Sequence, residues 1–205
     1  MSTPSGPGLS AEQWREKLSL LASHLQRPTS LCIIGSGPGI IGGQPNRVSI
    51  DLDTLQRASH FAYSDMKQAC EKSGLLFNPQ DEIDPNQPYI QIIEEGKVQV
   101  GRFTEVTDVM REGGLVVIRP PMENIVASKL LRASDKDFAD VAYLVETYGV
   151  TRQGVEKVLK HFPADKREQA AENLVFLDAI AQAKQPRPPL NAPAGRGRKG
   201  REMGG

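Results

Sequence analysis

The sequence predicts an α+β fold: a mixed β-sheet flanked by helices, followed by a helical C-terminal part. Two observations carry this. Short apolar or alternating runs, the mark of strands, cluster before residue 120. Beyond Pro120-Pro121, apolar residues recur at helical spacing as far as Ala183.

Residues 1–9 are rich in Ser, Pro and Gly and predict a disordered leader. Ser10 with Gln13 three residues on reads as a capping box. The helix it opens carries Trp14, Leu18, Leu21 and Leu25 on one face and ends at Pro28. The apolar run 31–34 reads as a buried strand entering Gly35-Ser36. Residues 36–43 are glycine-rich and hold at most a turn or two of helix before Gln44-Pro45. Residues 48–53 alternate, with Val48, Ile50 and Leu52 on one face and Ser49, Asp51 and Asp53 on the other. A helix is expected over 63–73, ended by Gly74, and a polar loop over 78–88. Strands are expected over 89–94, 98–103 and 115–118, with Glu95-Gly96-Lys97 as a hairpin turn. Helices follow over 122–133, 135–148, 152–161 and 164–183. The organisation is thus a core over 10–120, a helical part over 121–184 and a disordered basic tail over 185–205.

The chain has 205 residues, of which 39% are hydrophobic, and its 25 basic residues balance 25 acidic ones. Net charge therefore favours neither nucleic acid nor membrane as a partner. The tail is the exception: Arg187, Arg196, Arg198, Lys199 and Arg201 face only Glu202, a charge pattern suited to a loose contact with RNA. It has no aromatic residue to stack on bases. Cys32 and Cys70 lie in apolar or helical surroundings and read as buried free thiols, consistent with a cytoplasmic protein. No apolar run approaches the length of a membrane span. His24, His60 and His161 have no companions at metal-ligand spacing.

The chemistry concentrates in two segments. In the first, a strand ends in Gly35-Ser36, and backbone N–H groups at such a turn, with the Ser36 hydroxyl, can hold phosphate oxygens. The chain then returns through Arg47 and Ser49 to Asp51 and Asp53, two residues apart on one strand face. Paired carboxylates repel unless a cation neutralises them, and hard oxygens suit Mg²⁺ or Mn²⁺. Metals and positioned donors are what phosphoryl and nucleotidyl transfer need. The second segment holds Lys129, Asp137 and Asp140, the two aspartates sharing a helix face. A bland alternative pairs Lys136 with Asp140 at i,i+4 on the surface.

Gly35-Ser36 followed by Asp51-x-Asp53 resembles the hallmark of the nucleotidyltransferase superfamily built on the DNA polymerase β fold. Arg47-x-Ser49-x-Asp51-Leu52-Asp53 is similar, more narrowly, to the AbiEii/MenT group of nucleotidyltransferase toxins. Pro121-x-Glu123-Asn124-Ile125-x-Ala127-x-Lys129-Leu130 and Asp135-Lys136-Asp137-x-x-Asp140-Val141 resemble that group's later motifs, so the likeness spans residues 31–148. The resemblance implies that Asp51 and Asp53 bind the metal and that Ser36 contacts the triphosphate of an NTP. Gly35, Arg47 and Ser49 shape the nucleotide site. Lys129 reaches a phosphate, and Asp137 orients Lys129 or acts as a base. It implies transfer of a nucleotide to an acceptor hydroxyl on tRNA or a protein, and a toxin role implies an antitoxin partner. One departure stands: the superfamily's third carboxylate has no obvious counterpart. Gln99 and Gly101 occupy the expected positions, with Glu94 and Glu105 nearby. The alternative is therefore a nucleotidyltransferase-fold module that binds a nucleotide or a partner protein without chemistry.

Gly37-Pro38-Gly39-Ile40-Ile41-Gly42 formally matches the dinucleotide fingerprint G-x-G-x-x-G. That site needs a full helix after the loop, and Gln44-Pro45 breaks the chain too early.

Overall fold

The computed structural model describes residues 8–81 and 84–183. The disorder expected over 1–7 and 185–205 lies outside these residues. The elements run α1 (Ala11–His24), β1 (Thr29–Cys32), α2 (Gly37–Ile41), β2 (Asp51–Leu55), α3 (Tyr63–Lys72), β3 (Leu76–Phe77) and β4 (Tyr89–Ile93). They continue with β5 (Thr107–Glu112), β6 (Leu115–Arg119), α4 (Met122–Arg132), α5 (Asp135–Tyr148), α6 (Arg152–Leu159), α7 (Ala164–Glu172) and α8 (Val175–Ala183).

The strands form two three-stranded sheets, β1-β6-β5 and β2-β4-β3. The β1–β6, β2–β4 and β3–β4 pairs are parallel and β5–β6 is antiparallel, so the α+β class and mixed pairing match the sequence reading. An antiparallel bridge between Ile33 and Thr54, with the Ile34 amide donating to the Asp53 carbonyl at 2.9 Å, joins the two sheets. Because β2 runs antiparallel to the chain leaving β1, the unit is not βαβ, and the dinucleotide fingerprint finds no fold to serve. Its glycines act in close contact instead: a Cβ on Gly37 would lie 2.8 Å from Leu52 Cδ1.

Both sheet faces are covered, which is why residues 31–34 are continuously apolar. Leu31 and Ile33 face α1 and α3, packing with Trp14, Leu18, Leu21, Met66 and Cys70. Cys32 and Ile34 face the helical half, in one core with Ile125, Val126, Leu130, Val141 and Leu144. Strand β2 splits the same way, with Leu52 in the first core and Leu55 in the second. Asp51 and Asp53 share the face of Leu55 and look toward α4 and α5.

Four expectations need correction. Residues 98–103 are not a strand, and Glu95-Gly96-Lys97 joins no hairpin. Gly101 adopts φ +73°, and the carbonyls a strand would use are taken by side chains. Asn124 donates to Val100 and Arg102, and Arg57 to Gly101. The missing strand is β5, joined to β6 through Gly113-Gly114, a hairpin signal that was present in the sequence. The helix expected over 164–183 is two: as α7 ends, the Asn173 backbone N–H donates to the Ala170 carbonyl and its side-chain Nδ2 donates to the Leu130 carbonyl at 2.8 Å. Finally, Leu9 is not leader: it pairs with Ser49 through two backbone hydrogen bonds. Among the described residues no helix is long and apolar enough to cross a membrane.

Candidate active site

The two segments singled out by sequence meet around one cavity of about 340 Å³. Ser36, Arg47, Ser49, Asp51, Asp53 and Lys129 all line it, joined by Arg132 and Lys136. Gly35 stands directly behind: at φ +65°, with a notional Cβ only 2.8 Å from Asp53 Oδ2, it is a position where a side chain would displace the carboxylate. Ser36 precedes α2, and its side chain makes no capping bond, which leaves the hydroxyl to the cavity. Ser49 is anchored from below, its carbonyl accepting from Trp14 Nε1 at 3.0 Å, and its hydroxyl donates to Asp51 Oδ1.

Asp51 and Asp53 project from the same face of β2, as alternation predicted. Burial first, and then the charge of Asp51, push the Asp53 carboxyl up to about 6, although Arg132 and Lys129 pull it the other way. Such a pair lacks positive charge. Its hard oxygens fit a divalent cation of the Mg²⁺ or Mn²⁺ type. Among the described residues no group of three or more His, Cys, Asp or Glu side chains could hold a metal. Glu94 and Glu105 line other cavities. The strand beside β2 is β4, where Tyr89 stands opposite Asp51 and Gln91 opposite Asp53. Burial, then Asp51 and Asp53, raise the pKa of the Tyr89 hydroxyl, so the tyrosine shares the field of the pair.

The cationic wall is built by α4 and α5. Lys129 is 2% exposed, with Nζ 2.7 Å from Asp140 Oδ2 and 3.3 Å from Asp137 Oδ1. Arg47 reaches Asp140 from the opposite side, through Nε at 2.9 Å and Nη2 at 3.2 Å. Arg132 donates to Asp137 at 2.7 Å, and the Ser134 hydroxyl donates to Asp137 at 2.8 Å. Burial would raise the Asp137 carboxyl, but the hydrogen bonds from Arg132 and Ser134 and the charge of Lys129 hold it down at about 2. Asp137 is thus bonded by Lys129, Arg132 and Ser134 together. Asp140 is bound by Lys129 and Arg47, so the surface pair with Lys136 does not form; Lys136 lines the cavity instead.

Sequence reasoning passed over Arg132 and Tyr89, and gave Lys136 only the surface pair with Asp140. Arg132 had a signal, its i,i+3 spacing from Lys129 on one helix face. Tyr89 had none, since only the β2–β4 pairing brings it to Asp51. A larger cavity of about 640 Å³ lies against α3 and β3, lined by Lys67, Glu71, Phe77 and others, and holds none of these groups.

No family model and no curated protein matches the chain. Two solved structures are similar to it. JHP933 from Helicobacter pylori is 17% identical over 83% of this chain and 89% of its own, with a TM-score of 0.43. An H. pylori protein described as a putative nucleotidyltransferase is 18% identical over 84% of this chain and 94% of its own, with a TM-score of 0.44. What the pocket can do follows from its own residues: paired carboxylates for a hard cation, facing fixed cations for an oligoanion.

Proposed function

We propose that the pocket binds a nucleoside triphosphate with Mg²⁺ or Mn²⁺ and transfers the nucleotide to an acceptor hydroxyl, releasing pyrophosphate. One observation carries this reading: Asp51 and Asp53 meet Ser36, Arg47, Lys129 and Arg132 around a single cavity. Four cations, Arg47, Lys129, Arg132 and Lys136, balance four carboxylates, Asp51, Asp53, Asp137 and Asp140. A divalent cation on Asp51 and Asp53 tips that balance to positive, the charge an oligophosphate needs.

In the transfer, the acceptor oxygen bonds to the α-phosphorus as the bond from that phosphorus to the β-phosphate bridging oxygen breaks. The electron pair leaves with pyrophosphate, and the acceptor proton passes to solvent. Charge builds on the leaving group, and fixed donors facing it are the main source of rate. Lys129 has three N–H donors, of which Asp137 and Asp140 take two, so one remains for a phosphate oxygen. Arg47 and Arg132 add charge on either side, and the Ser36 hydroxyl offers a further donor. The divalent cation, when bound, neutralises phosphate charge and aligns the reacting groups. The resemblance carried by Arg47 to Asp53 gives the acceptor a direction, tRNA, and the protein a role as a toxin with an antitoxin partner. Acceptance by a protein hydroxyl is the other outcome of the same chemistry.

A second reading has its own observation. Tyr89 and Gln91, not carboxylates, stand beside Asp51 and Asp53, which suits a module that binds nucleotide without turnover. Labelled NTPs with Mg²⁺, in the presence and absence of total tRNA, separate the two. Label transfer that disappears in Asp51→Ala supports the enzyme, and transfer that survives Asp51→Ala removes these residues from the chemistry. Mg²⁺-dependent NTP binding without transfer supports the binding module.

A further inference from the structure

Asp140 does not line the cavity, yet it holds two of the cations that do. It is 1% exposed and accepts four hydrogen bonds: from Lys129 Nζ at 2.7 Å, Gln44 Nε2 at 2.9 Å, Arg47 Nε at 2.9 Å and Arg47 Nη2 at 3.2 Å. These donors come from two separate parts of the chain. Gln44 and Arg47 follow α2, on the segment that leads to Asp51, whereas Lys129 sits on α4. The side-on grip on Arg47 fixes the plane of the guanidinium, a constraint that a point contact would not give.

We propose that Asp140 is a positioning residue that sets the spacing of Arg47 and Lys129, making them a two-sided clamp for the triphosphate of the nucleotide. This rests on the nucleotide reading of the same pocket. The buried carboxylate is held ionised by the cations it aligns, and those cations keep their remaining N–H donors for a ligand. The third cation of the wall, Arg132, bonds Asp137 and not Asp140; Asp137 also touches Lys129 at 3.3 Å, so Lys129 is shared between the two carboxylates and Arg47 is the cation that Asp140 alone of them holds.

The test is Asp140→Asn, which keeps the shape but turns an amide N–H group toward donors. Binding of inorganic tripolyphosphate in excess Mg²⁺ and of Mn²⁺ alone are measured by titration calorimetry, with circular dichroism confirming the fold. Tripolyphosphate affinity is expected to fall about tenfold or more, the scale of a lost partner in a buried charge pair, while Mn²⁺ binding at Asp51 and Asp53 is unchanged. In an Arg47→Ala background the same substitution should cost less, because the pair it aligns is already broken. If Asp140→Asn does not fold, Asp140→Glu keeps the charge and moves it by one methylene, and the same split between the two ligands is expected. A folded variant that binds tripolyphosphate as tightly as the native protein overturns the proposal. A native protein that binds Mn²⁺ but no tripolyphosphate overturns the nucleotide reading itself.

Discussion

Asp53→Asn should make the metal-free protein more stable at neutral pH. Burial and the neighbouring Asp51 raise the Asp53 carboxyl from its ordinary 3.8 to about 6. The native state therefore holds this proton more tightly than the unfolded chain does. The resulting stabilisation is complete below 3.8 and is lost as pH rises through about 6, leaving an ionised and poorly compensated carboxylate above it. At about 1.4 kcal/mol per pKa unit the full gap corresponds to roughly 3 kcal/mol, and partial solvent access lowers that to about 1–3 kcal/mol. The asparagine keeps the shape and removes the charge. At about 2–4 °C per kcal/mol for a chain of this size, the variant should melt roughly 2–12 °C higher at pH 8 in EDTA. The difference should close near pH 4, where the native carboxyl is protonated. Added Mg²⁺ should raise the melting temperature of the native protein at pH 8 and leave the variant nearly unmoved. A variant that melts at or below the native protein at pH 8, or an advantage that does not change with pH, would refute the account of Asp53 as a charge awaiting a cation.

Two further substitution and labelling experiments probe the same region and its core. Gly35→Ala places a side chain at φ +65°, 2.8 Å from Asp53 Oδ2. It should cost about 1–2 kcal/mol in urea unfolding from the backbone alone and weaken Mn²⁺ binding as well, and an unchanged Mn²⁺ titration would show that the glycine does not set the carboxylate. Cys32 and Cys70 are buried, with thiols pushed up to about 11 and about 12 by burial. Neither should react with a thiol-specific disulfide reagent at pH 8 until the chain unfolds, and both should react in denaturant; rapid labelling of the native protein would place a gap in the core.

Much of the site was legible because its parts are local. Alternation within β2 commits Leu52 to one core and Asp51 and Asp53 to the other face whatever strand lies beside them, although the strand expected from 48 begins only at Asp51, and Val48 and Ile50 line the cavity rather than packing with Leu52. The adjacency of α4 and α5 brings Lys129 to Asp137 and Asp140 through a single turn at Ala133 and Ser134. Ala133 takes φ 50°, and Ser134 caps α5, so the short connection itself sets the meeting. The fold was misread where a distant side chain decides the local backbone. Asn124 and Arg57 take the carbonyls over 100–102, and Asn173 ends α7 by reaching Leu130. These bonds override a strand-like or helix-like pattern, and no window of sequence contains both partners.

The same distinction decides where a third carboxylate should have been sought. Looking for it at Gln99 and Gly101 assumed that residues 98–103 form the strand beside the aspartates. The neighbour is β4, in parallel register, and the relevant positions are Tyr89 and Gln91. Register, unlike alternation, is a long-range property, so this position could not be read from spacing. Its occupancy changes the chemistry expected of the pocket. On β2 and β4 the carboxylates number two, and the groups facing them from α4 and from the segment after α2 are cations already fixed by Asp137 and Asp140. A site built this way fixes its cations firmly and leaves Asp51 and Asp53 lightly furnished; on the proposed reading that preorganisation serves the phosphates more than the metal. Charge-reducing changes at Asp53 should therefore act through the cation, and changes at Asp140 through the phosphates, two effects separable by titrating each ligand alone.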